Sequence, residues 1–216
     1  MRSIVSALVL SVLACQSQAT EPAEKSDSDA ASRLEEPLSL GLLEEKVKLK
    51  DGTGAEVAAF KPKDNGAKLV GPDGEELARY TLKGGTIKVK DSVDTVVAWV
   101  KGDANKIKLL APDGETERFS LRPHKDGGYK LKGIEGQLLY ELKPRPYGFK
   151  VVDEQDQVVA KVKYASGKVS VRDETEVTLY STKTRVAVSA FATLAFSELS
   201  LAERGGLFLK LHRGSR

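Results

Sequence analysis

The sequence predicts a mainly β fold, in which antiparallel β-hairpin repeats close into a barrel around a hydrophobic C-terminal helix. Three observations predict it. An apolar-Lys-apolar triplet recurs along the chain at a near-constant spacing, the flanking segments alternate apolar and polar with a period of two, and one stretch near the C-terminus is apolar on every side at helical spacing.

The triplets are Val47-Lys48-Leu49, Ala67-Lys68-Leu69, Ile87-Lys88-Val89, Ile107-Lys108-Leu109, Tyr129-Lys130-Leu131 and Phe149-Lys150-Val151. A seventh, Val169-Ser170-Val171, keeps the place but has Ser where the others have Lys. Each triplet opens a strand whose central residue faces solvent while its apolar neighbours face inward. A turn follows, explicit at Gly71-Pro72-Asp73-Gly74 and Ala111-Pro112-Asp113-Gly114, where proline presets φ and glycine tolerates the positive φ the turn demands. The returning strands are Val57 to Phe60, Leu77 to Leu82, Val96 to Val100, Arg118 to Leu121, Leu138 to Leu142, Val158 to Val162 and Val177 to Tyr180. Seven hairpins therefore give about fourteen strands. The acidic turns do not predict calcium sites, because each offers one or two acids where a calcium loop converges several oxygens.

Ahead of the repeats the chain divides into residues 1–14, a leader, and residues 15–37, a tether; residues 38–216 form the folded domain. Arg2 and the apolar run Ile4 to Leu13 have the layout of an export signal. Val12-Leu13-Ala14-Cys15 resembles the lipobox of bacterial lipoproteins, in which the chain is cut before the cysteine and the thiol is acylated. Cys15 is the single cysteine of the chain and has no internal disulfide partner, so lipidation gives it a use. A conventional cut after Ser17-Gln18-Ala19 would remove it instead. The resemblance implies a bacterial envelope protein held to a membrane through its lipid, and Gln16 after the cysteine implies the outer membrane. The tether is rich in Ser, Ala, Asp and Glu with almost no large apolar residue, so it cannot bury enough surface to offset the entropy of ordering. Leu38 to Lys46 reads as a short helical turn or an edge strand.

Thr184 to Arg204 carries the helical pattern, with Val186, Val188, Phe191, Leu194, Phe196, Leu199 and Leu201 interleaved with alanines, and Gly205-Gly206 reads as its stop. From Val186 to Phe196 there is no charged face, so the helix must be enclosed. Its uncharged run is too short to span a bilayer. About fourteen strands can curl around it, which leaves a packed lumen and no pore. Leu207-Phe208-Leu209-Lys210-Leu211 reads as a last strand returning to the wall.

Consecutive hairpins such as Gly148-Phe149-Lys150-Val151-Val152-Asp153 and Gly167-Lys168-Val169-Ser170-Val171-Arg172-Asp173, followed by an apolar helix, resemble the tubby C-terminal-like superfamily, which includes LURP-one-related proteins and phospholipid scramblases. The resemblance implies a twelve-stranded barrel around a hydrophobic helix. Seven hairpins exceed that plan by one, so the unit at Val47 reads as an addition or a partial edge. The phosphoinositide-binding residues of tubby proteins find no matching motif here, and none is carried over.

The residues point to a non-enzymatic barrel that binds a lipid or another envelope component. The best local candidate is Lys143-Pro144-Arg145-Pro146-Tyr147, where Lys143, Arg145 and Tyr147 place two cations and an aromatic ring on a proline-stiffened connection suited to an anionic head group. Arg122-Pro123-His124-Lys125 is a second. Catalysis is poorly served: there are two histidines, no cysteine remains after Cys15, and no nucleophile elbow, phosphate loop or zinc spacing appears. No cofactor or metal is expected. With a net charge of +3 and lysines scattered over strand faces, no nucleic-acid partner is expected either. An alternative architecture is an open solenoid or propeller of hairpins serving as a scaffold or spacer.

Overall fold

The computed structural model describes residues 41–215; the leader, Cys15 and the tether lie outside the described residues. The strands are β1 (Val47–Lys50), β2 (Glu56–Lys63), β3 (Gly66–Val70), β4 (Glu76–Lys83), β5 (Thr86–Asp91), β6 (Val96–Gly102), β7 (Ile107–Leu110), β8 (Glu117–Pro123), β9 (Tyr129–Gly133), β10 (Leu138–Arg145), β11 (Gly148–Val152), β12 (Val158–Ala165), β13 (Lys168–Asp173) and β14 (Thr178–Thr182). Each is hydrogen-bonded to the next in sequence, and β1 pairs with β14 to close the barrel. The open solenoid and propeller plans therefore do not hold. The hairpin at Val47 is a full member of the wall rather than an appendage, because β1 makes the closing pair. The wall has two strands more than the twelve that the tubby-like resemblance implies.

The beat has a direct structural meaning. The last residue of every triplet, Leu49, Leu69, Val89, Leu109, Leu131, Val151 and Val171, is completely buried in the barrel wall, while Lys48, Lys68, Lys88, Lys108, Lys130 and Lys150 point outward. Immediately after each triplet's last residue on β1, β3, β5, β7, β11 and β13, the pairing register shifts, a β-bulge at one place per repeat. A bulge bends its strand and increases twist, and the same bend at the same height in successive hairpins curls a sheet on itself. The longer step between Lys108 and Lys130 is absorbed in connections, by residues 111–116 in place of the shorter 71–75 and by 124–128 in place of 84–85.

Prolines inside strands, at Pro62 and Pro144, sit where their strand outruns its neighbour. β1 pairs with β2 only as far as Phe60, and β9 pairs with β10 only as far as Leu142, so neither proline removes a ladder hydrogen bond.

The lumen is filled, but not by the single helix expected over 184–204. The chain after β14 enters as α1 (Val188–Ala192), continues through a 3-10 turn (Thr193–Ala195), reverses at residues 196–200, and returns as α2 (Leu201–Gly214). The reversal is chemically marked. Ser200 caps α2 by accepting the Glu203 amide, and the Glu203 carboxylate accepts the Ser200 amide at 2.9 Å, a reciprocal capping box. Thr193 donates to the Arg204 carbonyl at 3.3 Å, and Arg204 donates to the Leu194 carbonyl at 2.9 Å, which ties the two arms together.

Gly205 and Gly206 are thus not a stop but the middle of the approach between α2 and the wall. A Cβ at Gly205 would overlap the Tyr80 hydroxyl, and one at Gly206 would meet Val100 and Val89 at 2.9 and 3.0 Å. Their helix-weakening entropy, about 1 kcal/mol per glycine, is the cost of that close contact. Leu207 to Leu211 are helical, not a strand, and Leu207, Phe208 and Leu209 are fully buried. Phe208 sits at the centre, with ring centroids 4.9 Å from Phe60, 6.3 Å from Phe191 and 5.8 Å from His212. Residues 41–46 form bends rather than a helix or strand, and Leu42 and Leu43 are buried at the mouth where β1 begins.

Candidate functional site

With the lumen packed, the chemistry available to a partner lies on the wall and rims. The two rims differ in charge. At one, the connections 51–55, 71–75, 92–95, 111–116, 134–137, 153–157 and 174–177 each carry at least one carboxylate and none carries a lysine, arginine or histidine. The opposite rim holds the connections 64–65, 84–85, 103–106, 124–128, 146–147 and 166–167; its cations, among them Lys63, Lys83, Lys125, Arg145, Lys168, Lys183 and Arg185, outnumber its acids Glu44, Glu45, Asp64, Asp103 and Asp126. α2 starts near the acidic rim and ends near the basic one, where Lys210 donates to the Gly85 carbonyl at 2.6 Å. Its dipole therefore places its positive end near the acids and its negative end near the bases, a favourable orientation.

The acids of that rim have structural work. Asp51 accepts the amides of Thr53 and Ala55, Asp153 those of Gln155 and Gln157, and Asp173 those of Thr175 and Val177, all at 2.8 to 3.0 Å. The same staple recurs because the loop must turn after each bulge, and an Asp at its first position satisfies two otherwise open amides. The Thr53 hydroxyl and these amides hold the Asp51 carboxyl below its usual range. Among the described residues no group of three or more His, Cys, Asp or Glu side chains comes together as a metal site.

On the outer wall, cations face cations across strands: Lys61 opposite Lys68, Lys68 opposite Arg79, Arg79 opposite Lys90, Lys143 opposite Lys150, and Lys150 opposite Lys161. Like charges in register repel. Acids set between them offset this. Glu76 pairs with Lys68 and Arg79, Glu117 with Lys106 and Lys108, and Glu176 with Lys161, Lys163 and Arg172. The Lys161 and Lys163 ammoniums, at 2.6 and 2.7 Å, pull the Glu176 carboxyl from an ordinary 4.5 down to about 2. A carboxyl with a lowered folded-state value stabilises the fold above its unfolded value, and that contribution disappears as pH falls toward the folded one. Glu176→Gln should therefore flatten the decline of Tm between pH 4.5 and about 2 relative to the unchanged protein. Parallel acid limbs for the two proteins would show that the cluster carries no such coupling.

The structure gives the first candidate, Lys143, Arg145 and Tyr147, a different setting from the connection expected. Lys143 and Arg145 lie in β10, both on its outer face, and only Pro146 and Tyr147 form the turn to β11. Lys143 is engaged by Asp156 at 2.5 Å and lies 3.9 Å from Glu141. The Asp156 contact pushes its ammonium pKa up. Arg145 is exposed and donates to the adjacent Pro144 carbonyl at 2.7 Å, while Tyr147 is half-buried. Of the second candidate, Arg122 and Pro123 end β8, and His124 lies 3.0 Å from Asp126 in the connection that follows.

One interior pair escaped the sequence reading. Glu203, nearly fully buried, accepts from Arg118 of β8 at 2.5 Å, and Tyr80, whose hydroxyl burial pushes up, donates to the Ala202 carbonyl at 3.1 Å. Both fix α2 to the wall. The signal for the first was present as Ser200-Leu201-Ala202-Glu203, a capping-box spacing just before an apolar run.

The fold and surface define a closed, fourteen-stranded antiparallel barrel with a filled lumen and a charge difference between its rims. No protein-family model and no curated protein matches the chain. Among solved structures, the X-ray structure of a protein from Arabidopsis thaliana matches at 12% identity with a TM-score of 0.41, covering 70% of this chain and 88% of that one.

Proposed function

We propose that the protein is a non-enzymatic, lipid-anchored component of a bacterial envelope, attached through Cys15 to the outer membrane, whose barrel presents its outer surface to a lipid or another envelope component. The observation that carries this reading is the placement of the chain entry. β1 begins at the rim that carries Lys63, Lys83, Lys168 and Lys183, so the described chain enters the wall on the side with the larger share of cations, although residues 41–46 themselves include Glu44 and Glu45. An acylated Cys15 would tether the protein to the membrane, each buried methylene adding about 0.8 kcal/mol.

Two further features support it. The outer wall carries lysines at the centre of six successive triplets, whereas a lipid-embedded barrel needs an outward apolar band. The buried ionisable groups are used to hold the lumen hairpin, as Glu203 is by Arg118, which favours a binding role over catalysis. The tubby-like resemblance is part of the same proposal at the level of a barrel around an apolar helical core.

Labelled palmitate supplied to bacteria expressing the chain should be incorporated, and incorporation should vanish with Cys15→Ser. Label retained in Cys15→Ser, or absent from the unchanged protein, would remove the anchor.

A further inference from the structure

We propose that the outer face of the seam between β1 and β14 is a binding site for a phosphate group. This goes beyond the anchored envelope reading and does not depend on it. The seam is joined at a single register position, Lys50 opposite Ser181, where the flanking pairs β1–β2 and β13–β14 share four each. It leaves a depression of about 410 Å³ lined by Lys48, Lys50, Lys168 and Lys183 together with Ser181, Thr182 and Thr184. No carboxylate lines it.

The charged residues of the lining are all cations, whereas Glu76 and Glu176 each sit among cations elsewhere on the wall; among the described residues other outer lysines such as Lys61, Lys132 and Lys150 are likewise without an acid partner. Among the described residues Lys50, Lys168 and Lys183 have no ion pair, and only Lys48 reaches an acid, Glu56 at 3.2 Å. The depression coincides with the one irregular triplet. Ser170 takes the place of the central lysine and stands opposite Ser181, which stands opposite Lys50. Two short side chains in succession lower the floor, and the surrounding lysines then overhang a space instead of a neighbouring stem. Ser181 donates to the Lys50 carbonyl and Thr184 to the Lys46 carbonyl, both at 3.2 Å, so these hydroxyls tie the seam together, while Thr182, in register with the inward Val169, faces the lumen.

Several lysines lining one depression whose lining holds no carboxylate suit a compact, multiply charged oxyanion. Lysine binds phosphate as a point charge, and charge-assisted hydrogen bonds are the stronger class. The same group arrives either as free inorganic phosphate or as the head group of a phospholipid.

The test titrates the full-length protein with inorganic phosphate, and separately with vesicles of equal parts phosphatidylcholine and phosphatidylglycerol, while following backbone amide signals at Lys50, Ser181 and Thr184. Saturable shifts confined to the seam are expected with at least one probe, and the probe that gives them identifies the source. Lys50→Gln/Lys168→Gln/Lys183→Gln should weaken that binding roughly tenfold or more. Lys61→Gln/Lys63→Gln/Lys83→Gln, which removes equal charge elsewhere, should leave it unchanged. All forms share one N-terminus, so an anchor affects them alike. Thermal unfolding checks that each variant is folded, and Lys50→Gln alone is read if the triple variant is not. Absence of saturable seam shifts with both probes, or equal weakening in the two triple variants, overturns the site.

Discussion

Removing the chain from Val186 onward is expected to abolish cooperative unfolding, not to lower Tm by a few degrees. The removed segment contributes Phe191, Leu194, Phe196, Leu199, Leu207, Phe208 and Leu209 to the lumen, all nearly or fully buried. At about 1.5 to 3 kcal/mol each, these side chains are worth on the order of 10 to 20 kcal/mol before ordering entropy, comparable with the whole net stability of a typical domain. The wall left behind would expose its inward ring from Leu49 to Val171 with nothing to cover it. Circular dichroism on heating should show a broad, non-cooperative loss of strand signal, with binding of a hydrophobic dye at low temperature. A sharp transition near that of the intact protein would mean that the wall stands without its filling.

The legible and illegible parts of this fold differ by range. Hairpins are local: triplet, turn and returning strand lie within a few tens of residues, so period-two alternation and the Pro-Asp-Gly turns located all of them. Closure is not local. Lys50 and Ser181 are 131 residues apart, and neither strand carries a mark naming the other. The helix was misplaced for another reason. A segment apolar on all sides has no polar face to fix its phase, so the pattern from Val186 to Leu201 runs unbroken through a reversal that the backbone makes at residues 196–200. The polar marks were few: Ser197, Glu198 and Ser200 at the turn, and Glu203 completing the cap. Gly205-Gly206 carried the wrong meaning, because a glycine pair that ends a helix and one that admits Tyr80 and Val100 look alike in sequence.

The candidate site shows the same limit. Proline at 144 and 146 suggests a connection, yet Pro144 of β10 pairs with Phe149 of β11, which is allowed because β9 has already ended and asks nothing of its missing N–H. The cations at Lys143 and Arg145 were visible, whereas Asp156, which engages Lys143, lies across the hairpin in the next connection. Charge balance depends on cross-strand neighbours, and those follow from register.

Phe208→Ala is expected to destabilise the protein by about 3 to 5 kcal/mol, the range for deleting a buried aromatic ring from a core that relaxes only in part. The site has little freedom to collapse. Phe60 and Tyr80 belong to the wall, Phe191 to the opposing arm of the hairpin and His212 to the next turn of α2, so closing the void would require strands and helices to shift together. Gly205, one turn earlier on α2, already lies against Tyr80, which blocks movement of the helix toward that part of the wall. For a domain of this size each kcal/mol moves Tm by about 2 to 4 °C, so a fall of roughly 6 to 20 °C should appear in a thermal scan. Val93→Ala supplies the contrast: Val93 is 76% exposed in an acidic-rim connection and should change stability by no more than about 0.5 kcal/mol. Comparable shifts in the two variants would show that the ring of Phe208 is not where the hairpin and the wall are held together.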